Sequence, residues 1–401
     1  MRKLRPTVIS GTAALALAAT LAPSGAVAAK LTTLHHFSGG ADGGNPHGTL
    51  VLENDALYGT TEAGGRSGAG TVFMIDPGTG AETVLHSFSG GNDGATPTAG
   101  LVYRNGTFYG ITTAGGSSGV GTVFAFDPAT KKEKVLHSFT GFADGYTPFG
   151  GLLSHGGLLY GTTEFGGTNG SGTVYSVDPA TAAEKVLYVF QGGTDGDQPM
   201  SDLIEKDGIL YGTTLNGGHI PGTGIKTDAG TVFAVDARSG AESLVYSFDE
   251  NGGHDGINPW AGVIERGGNL YGTTYYGYND QGVSYYGTVF ELGPNSGYDT
   301  LLYSFRGDAD GGFPFAGVIF VGKDLYGIGS FSGQGNCGGS GCGVVFRVDP
   351  ATGAETVLHS FTGAKDGGNP EAGLIYNNGT FYGTTFDGGT ANAGTVFKLV
   401  P

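Results

Sequence analysis

Short runs of β-branched and aromatic residues recur along the chain, each bounded by Gly, Asn, Asp or Pro. In one stretch they read GLVYR, TFYGITT, GTVFAFD and EKVLHSF. Runs of this length and composition, punctuated by turn residues, predict strands joined by hairpins. The same four runs return in the same order seven times. A Leu/Phe-Tyr-Gly step places its Tyr at Tyr58, Tyr109, Tyr160, Tyr211, Tyr271, Tyr326 and Tyr382. A GTVF-like step ends at Phe73, Phe124, Tyr175, Phe233, Phe290, Phe346 and Phe397, and an LHSF-like step at Phe37, Phe88, Phe139, Phe190, Phe248, Phe305 and Phe361. A DGxxP step ends at Pro46, Pro97, Pro148, Pro199, Pro259, Pro314 and Pro370. Four strands per unit, at a basic period of 51 residues, predict the blades of an all-β, seven-bladed β-propeller.

The order of these marks predicts how the ring closes. After residue 28 the chain opens on a fourth-strand pattern, LTTLHHF, and it ends on a third-strand pattern, GTVFKLV. Seven four-stranded blades are complete only if the N-terminal strand joins the last blade, which also leaves no open sheet edge. A linear β-solenoid is the competing architecture, but it calls for distinct terminal caps, and none is visible.

Spacing localises the irregularity. From the DGxxP Pro to the next Tyr is 12 residues in every copy. The stretch from that Tyr to the Gly of GTVF is 12 in four copies but 19, 16 and 17 in copies four, five and six. The LHSF-to-Pro stretch is 9 except between copies four and five, where it is 11. In an up-and-down blade both variable segments belong to one rim. Loops on a rigid scaffold carry function, so a binding face is expected in the sector of blades 4 to 6.

Composition narrows the class. The chain has 81 Gly and 16 Pro in 401 residues, but also 24 Phe and 20 Tyr and only 14% charged residues, the reverse of a disordered composition. Residues 1–28 carry Arg2, Lys3 and Arg5, then an Ala/Leu-rich run ending Ala26-Val27-Ala28, the layout of a secretory signal peptide. The propeller domain is then 29–401, secreted or periplasmic, with no membrane insertion and with a monomer expected. Without the first 28 residues the balance is 16 Lys+Arg against 36 Asp+Glu, or −20, which disfavours nucleic acid. Cys337 and Cys342, in CGGSGC, read as a local disulfide in an exported protein.

Most repeated residues have structural explanations. The aromatics of the three repeated steps read as core. The Asp of each DGxxP (Asp42, Asp93, Asp144, Asp195, Asp255, Asp310, Asp366) reads as a turn residue bonding its own amides, since one carboxylate per loop does not fill a calcium shell. His35, His86, His137 and His359 share a position with Tyr188, Tyr246 and Tyr303, which asks for a flat half-polar ring and not a metal ligand. Asn105-Gly106 and Asn378-Gly379 read as hairpin turns, although both Asn also fit the N-glycosylation pattern. No metal site and no cofactor are expected. The glycine-rich loops lack the context of a phosphate cradle, and no GxSxG elbow occurs.

What differs between copies supplies the candidate site. The residue after each DGxxP Pro is expected to start the innermost strand near the axis: His47, Thr98, Phe149, Met200, Trp260, Phe315 and Glu371. The single Trp stands here, and the fifth-copy loop adds Tyr275, Tyr276, Tyr278, Asn279, Asp280, Tyr285 and Tyr286. Aromatic faces bordered by amides and carboxylates suit stacking on sugar rings, whereas the competing explanation is that these tyrosines pack a longer loop. The candidate ligand-binding set is Trp260, Tyr275, Tyr276, Tyr278, Asn279, Asp280, Tyr285, Tyr286 and Phe315. Glycosidase chemistry needs two carboxylates about one bond. Asp228, Asp255, Asp280 and Glu371 are candidates for the rim, but nothing in the sequence pairs any two, so no catalytic residue is assigned.

The repeat LYGTTxxGG…GTVFxxDPxTGxETVLHSFxGGxDGxxP resembles the GloVer tandem repeat of bacterial exported proteins, across essentially all of 29–401. The resemblance implies export and a repeat architecture and supplies no activity. The sequence therefore leads to an exported, non-enzymatic propeller that recognises a glycan or other extracellular partner, such as a cell-surface protein, on the blade 4–6 rim. Two alternatives remain open: a polysaccharide hydrolase or lyase at the same rim, and a structural or adhesive surface protein without a small ligand.

Overall fold

The computed structural model describes residues 29–219, 227–249, 256–278, 284–293 and 299–401. Seven antiparallel four-stranded sheets form the blades of a β-propeller. Blade 1 is typical, with strands Val51–Glu53, Ala56–Thr61, Thr71–Ile75 and Glu82–Ser87 from inside to outside. Blade 7 takes its outermost strand, Lys30–His36, from the chain start, pairing it with Thr395–Val400 as the closure argument requires. The expected signal segment, 1–28, lies outside the described residues.

Two repeated aromatics per blade are fully buried. The GTVF-position rings are 0% exposed, and the LHSF-position Phe residues are 0–1% exposed. Each LHSF-position Phe meets the GTVF-position ring of the following blade edge-on, as Phe88 of blade 1 and Phe124 of blade 2 do at 5.2 Å; burying such a ring stabilises by about 1.5–3 kcal/mol. The third repeated aromatic departs from expectation. Only Tyr160 and Tyr271 of the seven Leu/Phe-Tyr-Gly tyrosines are buried; the other five are half-buried. Several lie against the next blade, as Tyr58 does on Phe108 at 4.4 Å.

Buried threonines tie strand two to strand three. Thr61 bonds Thr71 at 2.8 Å, and equivalent pairs recur in every blade except blade 6, where Gly329 faces Val344. Blade 6 instead carries the Cys337–Cys342 disulfide. Both sulfurs press on the crossover into blade 7, so closely that a Cβ on Gly363 would stand 2.4 Å from the Cys337 Sγ. Cys342→Ser is expected to cost about 2 kcal/mol, a figure set by the short loop it closes. The change should appear as a Tm a few degrees lower under non-reducing conditions. An unchanged Tm would mean the crossover is held without the bridge.

The repeated Asp residues act as turn braces wherever they are described. Asp93 accepts the Ser89 N–H at 2.8 Å, and Asp42, Asp144, Asp195, Asp310 and Asp366 do the same for their own loops; Asp255 lies outside the described residues. The strand-four ring seven positions earlier reaches the same carboxylate. His137 and His359 stand 3.2 Å from Asp144 and Asp366, and the Tyr188 and Tyr303 hydroxyls donate to Asp195 and Asp310 at 2.7 Å. A ring N–H or a phenol O–H serves equally, which explains why His and Tyr alternate. Asn105 and Gly106 both have positive φ (50° and 85°), as do Asn378 and Gly379 (46° and 84°), as a tight hairpin turn requires.

Candidate functional site

The two segments of variable length do share one rim. In every blade the crossover pairs with the loop between strands two and three, as in Gly44 with Ala63, Ile257 with Tyr276, and Tyr146 with Phe165. The residue before each Pro is left-handed, with φ from 52° (Asn369) to 59° (Gln198). Asn tolerates this, and Asn258 also bonds the Leu215 carbonyl at 2.9 Å. Phe313 at φ 54° is a bulky residue in a sparsely populated region, held by rings on several sides.

The residues after Pro do reach the axis, but not as part of the inner strand. In blade 1 the assigned strand begins at Val51, four positions after His47. The intervening segments run along the axis and pack backbone against backbone. A Cβ on Gly100 would stand 2.5 Å from the Thr49 carbonyl oxygen, and one on Gly262 2.3 Å from that of Asp202, so only glycine fits at these positions. The seven segments enclose a cavity of about 310 Å³. His47, Thr98, Phe149, Met200, Trp260, Phe315 and Glu371 form its upper tier.

One side of this mouth is aromatic. Trp260 contacts Phe315 at 4.8 Å, Tyr275 at 5.8 Å and, toward blade 3, Phe149 at 6.3 Å between ring centres. Tyr275 adds Phe315, Phe313 and Tyr276 at 4.9, 5.1 and 4.6 Å. Tyr276 is 39% exposed, and Tyr286 supports the cluster from behind through Phe313 at 5.1 Å. Of the expected site residues, Trp260, Tyr275, Tyr276 and Phe315 converge here. For Tyr278 and Tyr285 only the backbone, in a two-stranded hairpin, is described. Asn279 and Asp280 lie outside the described residues, as does Asp255. Asp228 accepts the Gly217 N–H at 3.2 Å and so braces its own loop.

The opposite side is acidic. Ring closure brings His47 of blade 1 to Glu371 of blade 7, with Nε2 and Oε2 3.4 Å apart. The His47 Nδ1 lies 2.9 Å from the Thr98 carbonyl, which only accepts, so Nδ1 carries the hydrogen and Nε2 presents its lone pair. Burial holds the imidazole pKa below its usual value. Burial, reinforced by Asp387 and Glu62, pushes Glu371 up to about 8. Both groups are thus neutral near pH 7, with a carboxylic acid facing a basic nitrogen. Glu62 and Asp387 are themselves raised by burial. The Tyr275 hydroxyl is pushed up to about 12 by burial, then by Tyr276 and Glu371, which links the two sides electrostatically. Among the described residues no Lys or Arg lines the cavity. Among the described residues no group of three or more His, Cys, Asp or Glu is placed to hold a metal ion.

The sequence placed His47, Phe149 and Glu371 at axial positions but not their contacts, and it carried no signal for Phe313, for Phe331, which meets Phe315 at 6.2 Å, or for Glu62 and Asp387. The aromatic cluster is also wider than blades 4 to 6, because Phe149 of blade 3 joins it.

The Gloeobacter/Verrucomicrobia repeat profile matches residues 19–225 and 221–401. The chain belongs to that family. Two tandem matches covering nearly the whole chain agree with seven equivalent blades built on one repeat. No curated relative matches this member of the Gloeobacter/Verrucomicrobia repeat family. Its propeller is similar to an oligogalacturonate lyase in complex with manganese (13% identity, TM-score 0.55, 94% of each chain). It is also similar to an oligogalacturonate lyase from Vibrio parahaemolyticus (11%, TM-score 0.53, 92% of this chain and 93% of that one). A puromycin-hydrolyzing peptidase from Mycobacterium tuberculosis matches 84% of this chain with 48% of its own (12%, TM-score 0.50). At these identities the likeness establishes the fold of the repeat protein and nothing about its chemistry. Among the described residues no helix is long and apolar enough to cross a membrane.

Proposed function

We propose that this protein is exported and recognises a glycan at the axial mouth of the propeller. The observation that carries the reading is the two-sided mouth: Trp260 and Phe315, extended by Tyr275 and the exposed Tyr276, share a cavity of about 310 Å³ with Glu371 and His47. That volume is at the lower end for small-ligand sites. Flat rings offer stacking area to the C–H face of a sugar, and neutral carboxyl and imidazole groups offer hydrogen bonds to its hydroxyls. The disulfide and the pattern of residues 1–28 support an oxidising, extracytoplasmic location.

A glycan array probed with residues 29–401 tests the reading. The expected result is retention on a defined subset of glycans that falls at least about tenfold in Tyr276→Ala, since an exposed stacking ring of this kind carries more than about 1 kcal/mol of binding. A blank array would favour a structural or adhesive role. A second reading, a polysaccharide hydrolase or lyase, is favoured by one observation: Glu371 is held protonated beside His47 and within electrostatic reach of Tyr275, an arrangement suited to proton transfer. Release of reducing ends or unsaturated products from an array-positive polysaccharide, abolished in Glu371→Gln, would move the assignment to that reading.

A further inference from the structure

Below the aromatic tier the bore changes character. The next cavity-lining tier consists of Thr49, Gly100, Gly262, Gly317, Gly373 and one charged residue, Asp202. Its neighbours fix its place. The Asp202 carbonyl packs against Gly262, two residues beyond Trp260, and its Oδ1 accepts the N–H of Gly151, two residues beyond Phe149, at 2.5 Å. Asp202 thus sits directly below the Phe149–Trp260 contact. Its surface is open to the cavity while protein surrounds it, and that burial raises its pKa.

A second observation points to a ligand in the same cavity. Thr98 lines this cavity, is 5% exposed, and its Oγ1 has no hydrogen-bond partner. The Trp260 Nε1, also cavity-lining, is buried and unpartnered too. Unsatisfied buried polar groups are costly, about 1–3 kcal/mol each, and are retained where a ligand completes them. Among the described residues no Lys or Arg lines the bore to pair with Asp202, and 29–401 carries −20 overall.

We infer that the glycan recognised here bears a primary amine, as in a glucosamine-type sugar, and that Asp202 takes its ammonium group beneath Trp260 while the Thr98 hydroxyl bonds a neighbouring oxygen. This rests on the glycan reading above and deepens it. A uronic-acid chain brings a second carboxyl group to Asp202 and finds no cation there to pair with. An N-acetylated sugar keeps the ring stacking but has no positive charge to offer Asp202. An ammonium ion against a partly desolvated carboxylate strengthens the contact and draws the Asp202 pKa back down.

Calorimetric titration of residues 29–401 at pH 6 with a β-1,4-glucosamine tetramer, its fully N-acetylated counterpart and a tetragalacturonate tests this. The expected order is the glucosamine tetramer at least about tenfold tighter than the acetylated one, with no measurable binding of the galacturonate. Asp202→Asn should remove that advantage and leave the acetylated tetramer unchanged, while Trp260→Ala weakens both. Equal or tighter binding of the acetylated or galacturonate tetramer overturns the inference and leaves the glycan reading standing. So does an equal loss for both tetramers in an Asp202→Asn protein of unchanged Tm. Failure of all three to bind, in a protein of native Tm, overturns the amine inference; if a broad glycan array is blank as well, the glycan reading falls with it.

Discussion

Raising the pH from 5 to 8 is expected to lower the unfolding temperature of this protein by several degrees. The cause is a set of outer-strand glutamates, one in each of five blades. Glu82, Glu133, Glu184, Glu242 and Glu355 are each pushed up to about 7, first by burial and then by the braced Asp of the same unit, Asp42 for Glu82 and Asp93 for Glu133. In all five the Oε1 atom is buried without a hydrogen-bond partner. A carboxyl whose folded pKa lies above its unfolded value of 4.5 stabilises the fold fully below pH 4.5 and loses that contribution as the pH rises through about 7. A shift of this size corresponds to about 3 kcal/mol for a fully desolvated group. These side chains are partly exposed and solvent screens them, leaving about 1 kcal/mol apiece, or about 5 kcal/mol together.

The opposing groups are fewer. His35, His47 and His86 are held below 6.5 by burial, so they favour the folded state as the pH rises through 6.5. The turn residues Asp76, Asp127, Asp178 and Asp236, lowered by backbone and side-chain hydrogen bonds from their own turns, titrate below this window. Calorimetry across pH 5–8.5 reads the balance. Glu133→Gln should raise Tm at pH 8 while changing it little at pH 5. A Tm that stays flat or climbs over that range would show that these carboxyls are ionised without penalty.

Replacing Trp260 by Ala is expected to abolish most glycan retention while the propeller remains folded. Trp260 is the centre of the aromatic side, touching Phe149, Phe315 and Tyr275 and standing over the tier that holds Asp202. It lies outside the strands and outside the core clusters of the neighbouring blades, which are built mainly on the repeated Phe, Val and Leu residues. A central stacking ring is worth about 2 kcal/mol or more, so affinity should drop at least about thirtyfold. The Tm should shift by only a few degrees. A protein that unfolds or aggregates instead would identify Trp260 as packing and remove the main support for the site.

Much of the fold was legible because its determinants are local or repeat at one period. GLVYR, TFYGITT and their equivalents each carry their own strand and turn signals. The opening LTTLHHF and the closing GTVFKLV left one arrangement in which every sheet edge is paired. The Phe residues of the GTVF and LHSF steps fell where strand alternation put them. The Leu/Phe-Tyr-Gly tyrosines did not, since the same alternation points them to the space between blades, where burial depends on the neighbour. The exchange of His and Tyr on strand four was visible, but its reason, a shared Asp seven residues later, required the crossover geometry.

By itself the sequence determined the seven blades, the closed ring, the rim that varies and the residues sent to the axis, since each of these follows from strand period, turn chemistry or spacing along the chain. Only the tertiary structure decided which axial residues meet. His47 and Glu371 are 324 positions apart, and Asp202 interrupts a tier otherwise made of Gly and Thr. Seven segments converge on a narrow bore, and the protonation state and binding capacity of any one side chain there depend on the six others that exclude water from it.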